Sequence, residues 1–101
     1  MQTVIHGMLQ EEKQRNLRMQ ETHKKEIQSL RKGSIAKKSI GGQDYYYLKY
    51  RQGDKVKNDY IGKDEESVAE IRQEIERRKY LQGVLKRLQL EYKQIGKIVK
   101  D

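Results

Sequence analysis

The scarcity of large apolar residues restricts this chain's fold more than any other feature. Leu, Ile, Val and Phe together account for 22 of the 101 residues, while charged residues account for 38%. This apolar share lies just above the level at which chains stay disordered. A broad, thick core is therefore excluded, and we expect one domain (1–101) of long elements that share a thin apolar seam.

Glycines divide the chain into three parts, and proline is absent. Residues 1–32 are rich in helix formers, and Gly33 is placed as a helix-ending residue would be. Residues 34–62 hold the concentration of β-branched and aromatic residues that is typical of strands. Residues 64–100 begin with Asp64, a good N-cap, and continue with helical periodicity. We predict an α+β fold with a sheet between two long helices.

The middle part predicts a three-stranded antiparallel meander with strands at about residues 34–40, 44–51 and 55–61. Gly41 and Gly42 suit a two-residue hairpin, because glycine accepts positive φ at both central positions. The segment Gln52-Gly53-Asp54 suits a three-residue loop.

These two loop lengths sort the side chains of the predicted sheet into two faces. The apolar face, expected to form core, contains Ile35, Tyr46, Leu48, Tyr50, Val56 and Tyr60. The basic face contains Lys38, Tyr45, Tyr47, Lys49, Arg51, Lys55 and Lys57. In this register Lys49 lies opposite Lys57 and Arg51 opposite Lys55. Like charges in direct opposition destabilise a sheet, and an anionic partner would relieve them.

The basic face predicts a nucleic-acid-binding surface, with DNA or RNA as the partner. Lys and Arg neutralise phosphates, and tyrosine stacks on bases or reaches a phosphate through its hydroxyl. Residues 33–63 hold seven Lys or Arg against three Asp, which favours this interpretation. The alternative is a solvated face of a lysine-rich protein, on which tyrosine is simply a good strand former.

The last helix carries a regular apolar seam. Its members recur at steps of four and three: Leu81, Leu85, Leu88, Tyr92, Ile95 and Val99. Between Ile75 and Leu81 the step is six, one residue short of a heptad, which indicates a change of packing partner. We expect the first half of this helix to pack on the sheet and the second half to pair antiparallel with residues 10–30. The expected alignment places His23 beside Leu88 and Met19 beside Tyr92.

A coiled-coil scaffold is the competing functional hypothesis. The first helix offers only a patchy apolar seam, so two helices in contact would leave apolar surface for another molecule. A homodimer or partner contact through Leu81, Leu85, Leu88, Tyr92 and Ile95 is the form that this hypothesis takes.

Several function classes are disfavoured by what the sequence lacks. There is no cysteine, and His6 and His23 stand 17 positions apart without a carboxylate cluster, so no metal site is expected. The Tyr45-Tyr46-Tyr47 run has no accompanying base or convergent cations, and we predict neither an enzyme nor a cofactor or small-molecule substrate. No apolar run approaches the length of a membrane span and no secretory signal is apparent, so the expected location is the cytoplasm.

The central part resembles a family of small uncharacterised bacterial proteins. The matching segments are Gly33-Ser34, Lys37-Lys38, Tyr45-Tyr46-Tyr47-Leu48, Tyr50-Arg51-Gln52-Gly53-Asp54-Lys55-Val56 and Tyr60-Ile61-Gly62-Lys63. This resemblance implies the order helix, three strands, helix, and implies no established function. More loosely, the meander with its helix is similar to the amino-terminal arm-type DNA-binding domain of tyrosine-recombinase integrases. That likeness implies that the basic face would lie against DNA.

Overall fold

The computed structural model describes residues 3–100, which form two helices and a three-stranded antiparallel sheet. The elements in chain order are α1 (Val4–Ser29), β1 (Ser34–Ile40), β2 (Gln43–Gln52), β3 (Lys55–Gly62) and α2 (Glu65–Ile98). The strands lie in the order β1-β2-β3. The predicted α+β fold is confirmed.

The chain forms two compact units, and α2 contributes to both. One unit, here called the sheet unit, comprises residues 30–79, and the other, here called the helical unit, comprises α1 and residues 80–100. The boundary between Lys79 and Tyr80 falls within the six-residue step that separates Ile75 from Leu81. The inferred change of partner along α2 is confirmed, because the helix up to Lys79 belongs to the unit of the sheet and the helix from Tyr80 belongs to the unit of α1.

Both helices begin with side-chain caps. The hydroxyl of Thr3 accepts the backbone N–H of His6 at 3.0 Å. Asp64 accepts the backbone N–H of Glu66 at 3.1 Å and the hydroxyl of Ser67 at 3.0 Å. The cap predicted at Asp64 is confirmed, because its carboxylate satisfies an N–H that the first helical turn leaves without a partner.

Helix α1 ends earlier than the sequence predicted, at Ser29 rather than beside Gly33. The next residues bond elsewhere in the sheet unit: the backbone N–H and the guanidinium of Arg31 donate to the carboxylate of Glu74, and Arg78 donates to the carbonyl of Leu30 at 3.0 Å. These bonds replace the helical ones at the point where the chain turns into β1. The interpretation of Gly33 as the residue that ends the helix was wrong.

The first hairpin has the predicted register. Ile35 pairs with Leu48 and Lys38 with Tyr45, and the two strands are joined by a two-residue turn. Its glycines have φ values of 60° for Gly41 and 77° for Gly42. Positive φ at both central positions is the requirement of a type I′ turn, which explains the glycine pair.

The second hairpin departs from the prediction by one residue. Gln52 pairs with Lys55, so the loop has two residues rather than three, and Gly53 takes a φ of 65°. Because side chains alternate along a strand, this slip transfers residues 55–60 to the opposite face. A further irregularity between Tyr46 and Tyr47 then places Gly62 opposite Tyr46. The predicted pairs Lys49–Lys57 and Arg51–Lys55 were wrong: Lys49 pairs with Asn58, and Arg51 with Val56.

In the helical unit, α1 and α2 associate as predicted but one heptad out of the expected alignment. Asn16, rather than His23, lies beside Leu88, and its side-chain amide donates to that carbonyl at 2.9 Å. The ammonium of Lys13, rather than Met19, lies 5.3 Å from the centre of the Tyr92 ring. Gln20 donates to Asn16 at 2.7 Å. These polar contacts fix the observed alignment.

Within residues 3–100, neither helix contains a stretch long and apolar enough to cross a membrane.

Candidate nucleic-acid interface

One face of the sheet packs against the first half of α2. Leu48 is only 6% exposed, and on α2 Val68 and Ile75 are 5% and 8% exposed. Leu48, Ile61 and Ile71 line one common cavity between sheet and helix. The centre of this face, called here the inner face, is therefore covered by α2 around Leu48, and the opposite face of the sheet is the better candidate for a partner.

The opposite face, called here the outer face, is defined by the observed pairing of the strands. Its members alternate with the inner-face residues along each strand, and they are Ser34, Ala36, Lys38, Ile40, Gln43, Tyr45, Tyr47, Lys49, Arg51, Val56, Asn58 and Tyr60. Val56 and Tyr60, which the sequence had placed in the core, are 50% and 55% exposed. That assignment was wrong because it depended on the three-residue loop.

Three tyrosines form an aromatic cluster on the outer face. The ring centres of Tyr47 and Tyr60 are 5.3 Å apart, and those of Tyr45 and Tyr60 are 6.4 Å apart, with both pairs tilted. Tilted contacts at these distances are favourable because the positive edge of one ring meets the negative face of the next. The cluster therefore has a definite arrangement without a helix to support it.

Lysines border this cluster. The Lys38 ammonium lies 4.9 Å from the centre of the Tyr47 ring, and the Lys63 ammonium lies 5.4 Å from the centre of the Tyr45 ring. Such cation–π contacts contribute about 0.5–1 kcal/mol at exposed sites. They hold two positive charges directly over the aromatic surface.

The charged groups of the outer face are all positive. Four cations belong to it or extend over it, namely Lys38, Lys49, Arg51 and Lys63. The three carboxylates in the strands and turns of the sheet lie elsewhere. Asp44 accepts the Ser39 hydroxyl at 2.6 Å, Asp59 accepts the Tyr50 hydroxyl at 2.9 Å, and Asp54 lies in the second turn. No carboxylate of residues 34–62 therefore offsets these charges on the same face.

The contact between Tyr50 and Asp59 belongs to the inner face. Its hydrogen bond to the carboxylate raises the pKa of the Tyr50 phenol above its ordinary value, with smaller contributions from desolvation and from the negative charge of Asp59. The one-residue slip that moved Asp59 off the outer face also created this pair.

Five of the seven predicted binding residues share the outer face: Lys38, Tyr45, Tyr47, Lys49 and Arg51. Lys55 and Lys57 lie on the other side of the sheet, opposite Gln52 and Tyr50. The sequence prediction missed Tyr60 and Lys63. A two-residue alternative for the second loop would have placed Tyr60 beside Tyr47, and the glycine at position 53 was the available signal for it.

The predicted helical seam lies largely inside the helical unit. Leu81 and Leu88 are 1% and 8% exposed, and Leu85, Tyr92 and Ile95 are half-buried. Contacts from Lys13 and Asn16 cover part of this seam within the unit. Within residues 3–100, no three His, Cys, Asp or Glu side chains come together in a way that could hold a metal ion.

A sequence profile described as Domain of unknown function (DUF6788) matches residues 9–73, which is more than half of the chain. The chain belongs to the DUF6788 family. The DUF6788 match includes all three strands, so the outer face lies within the region that defines the family. No curated protein and no solved structure matches the chain.

Proposed function

We propose that this protein binds nucleic acid through the outer face of its sheet and has no catalytic activity. The observation that carries the proposal is the outer-face cluster of Tyr45, Tyr47 and Tyr60, which is bordered by cations and free of strand carboxylates. Tyr60 is 55% exposed, and the other two tyrosines are half-buried. Such a surface combines charge that attracts phosphates with aromatic area that contacts bases. The proposal includes a cytoplasmic location, where DNA or RNA would be available to this face.

The positions of the cations support this proposal. Lys49 and Arg51 extend the charge along β2 beyond the aromatic cluster, while Lys38 and Lys63 stand over its rings. Asn58, directly opposite Lys49, adds an amide that can donate and accept hydrogen bonds. The likeness of this meander to the arm-type domain of integrases offers a precedent for a sheet that faces DNA.

Two double variants with identical charge changes test the proposal. Lys49→Gln/Arg51→Gln removes two cations from the outer face, and Lys55→Gln/Lys57→Gln removes two from the inner side of the same hairpin. Binding of a fluorescein-labelled DNA or RNA probe is measured by anisotropy for both variants and the wild type. The first variant should bind clearly more weakly than the second. Equal affinities of the two variants would contradict the assignment of this face.

Salt dependence supplies a second, independent measurement. Four neutralised phosphates predict a slope of about −3 to −4 in a plot of log affinity against log salt concentration for the wild type. Lys49→Gln/Arg51→Gln should reduce the magnitude of the slope by about 2. A slope that Lys49→Gln/Arg51→Gln leaves unchanged would exclude these two side chains from phosphate contact.

A second candidate function is self-association through the helical unit, as in a coiled-coil scaffold. It is favoured by apolar side chains that are exposed there: Val4, Ile5, Met8 and Ile98 are 62–81% exposed. The proposed partner is a second copy of this chain. Light scattering coupled to size exclusion should give a dimer mass that falls to the monomer mass in Ile5→Gln/Met8→Gln. A monomer mass for the wild type would exclude this candidate.

A further inference from the structure

We propose that the outer face selects single-stranded nucleic acid, DNA or RNA, over duplex. This inference rests on the proposed function and specifies its ligand. It follows from the placement of the three tyrosines relative to one another and from the side chains that cover their rings in the free protein.

The tyrosines stand at the wrong spacing for stacked bases. Tyr45 and Tyr47 are two residues apart on β2, and a strand advances about 3.3 Å per residue, so their side chains emerge about 6.6 Å apart. Successive bases along one strand of B-form DNA are about 3.4 Å apart. Only a strand with separated bases can therefore place neighbouring bases on Tyr45 and on Tyr47.

Duplex also offers little that the aromatic cluster can use. Paired bases are already stacked on both sides, and in the grooves they present only their edges, which are read by hydrogen bonds. Tyr60 is 55% exposed next to Tyr45 and Tyr47. An unstacked base can stack on its ring, whereas a paired base in a duplex cannot. The area of these rings would contribute little against a duplex.

Bound nucleic acid can displace the two lysines that lie over the tyrosine rings. Lys38 and Lys63 cover the rings of Tyr47 and Tyr45 in the free protein. Their long stems allow the ammonium groups to swing onto phosphates, since lysine is a flexible point charge. A bound strand would thus take the ammonium groups to its backbone and leave the ring faces to its bases.

The experiment compares four labelled probes on the wild-type protein at one salt concentration. They are a DNA strand of about 20 nucleotides without self-complementarity, the RNA strand of the same sequence, the DNA duplex, and an abasic strand of equal length. At least one of the two single strands should bind about tenfold more tightly than the duplex. The abasic strand, which keeps the phosphates and lacks the bases, should bind about tenfold more weakly than the intact DNA strand if DNA is the preferred strand.

Variants of Tyr60 separate stacking from hydrogen bonding. Tyr60→Leu should weaken binding of the preferred single strand by about fivefold or more, and Tyr60→Phe, which keeps the ring, should retain wild-type affinity. Tyr80→Leu, at a tyrosine of similar exposure (60%) on α2, is the matched control and should bind as the wild type does. Circular dichroism verifies that each variant is folded, and the probe comparison decides the question even if Tyr60→Leu is not.

The outcomes distinguish this inference from the proposed function. Duplex affinity that equals or exceeds both single-strand affinities, with Lys49→Gln/Arg51→Gln still weakening binding, would overturn strand selectivity and leave the proposed function in place. Equal losses in Tyr60→Phe and Tyr60→Leu would assign the contact to the hydroxyl and overturn stacking. Absence of binding to all four probes would overturn both proposals.

Discussion

At the scale of single residues, Gly33 allows β1 to pair closely with β2. It has a φ of 121°, and a Cβ atom at this position would clash with the carbonyl oxygen of Lys49 and lie 2.9 Å from the Cβ of Tyr50. Glycine is therefore required twice, for its conformation and for the close approach of β1 to β2.

Gly33→Ala should lower the free energy of unfolding by at least about 1–3 kcal/mol, because it adds both backbone strain and a backbone clash. Gly83→Ala, within α2, is the control. A Cβ at this position meets nothing within 4 Å, so the substitution should raise the free energy of unfolding by about 0.5–1 kcal/mol. Urea denaturation measures both changes. A neutral Gly33→Ala would contradict the close approach between β1 and β2.

The Tyr50–Asp59 hydrogen bond gives a second prediction at this scale, in the alkaline range. Because the pKa of Tyr50 is higher in the folded state than the ordinary value of 10, its contribution to stability is fully present below about pH 10 and is lost as the pH rises through the raised pKa. Absorbance at 295 nm should show a late-titrating phenol in the wild type. That phase should be absent in Tyr50→Phe and should move to lower pH in Asp59→Asn. An Asp59→Asn curve that overlays the wild type would contradict the bond.

At the scale of elements, the helical unit combines a regular apolar seam on α2 with a polar seam on α1. Lys13, Asn16 and Gln20 are 2–8% exposed. Asn16 donates to the Leu88 carbonyl and accepts from Gln20, while the Lys13 ammonium lies over the Tyr92 ring. Buried polar groups of this kind fix register at some cost in stability. They explain why an apolar pattern alone gave an alignment seven residues away, a slip of about 10 Å along the helix.

A double-mutant cycle on Asn16 and Gln20 tests this polar contact. Each of Asn16→Leu and Gln20→Leu leaves a buried amide without its partner, whereas the double variant removes both groups. The double variant should therefore be more stable than the sum of the single effects by about 1 kcal/mol. The same cycle on the exposed pair Glu12 and Arg15, whose atoms are 2.9 Å apart, should give less than about 0.5 kcal/mol. Equal coupling energies in the two cycles would contradict the role of burial.

At the scale of the whole molecule, positive charge is concentrated at the outer face and few apolar side chains are buried. The net charge is +8, and four of the cations stand on or over the outer face. The buried apolar side chains are few, and they lie in two groups, one in each unit. Helix α2 belongs to both units, so the unfolding of one unit removes support from a helix that the other requires.

We therefore expect a single unfolding transition for the whole chain. In a urea titration followed by NMR, the amide signals of Leu48 in the sheet unit and Leu88 in the helical unit should be lost at the same midpoint. Leu81→Ala, which removes a side chain that is 1% exposed, should lower both midpoints together, with a loss of about 2–5 kcal/mol. Separate midpoints for Leu48 and Leu88 would contradict a single cooperative domain.

Local signals in the sequence were sufficient to predict the elements, the first hairpin, the cap at Asp64 and the change of partner along α2. Each depends on interactions within a few residues: a glycine pair, a capping carboxylate, or the phase of an apolar repeat. The register of β3 and the alignment of α1 with α2 required distant contacts. Loops of two and three residues are both compatible with Gln52-Gly53-Asp54, and a heptad slip leaves an apolar repeat unchanged. The hydrogen bonds from Tyr50 to Asp59 and from Asn16 to the Leu88 carbonyl distinguish these alternatives. Such bonds exist only once the chain has folded.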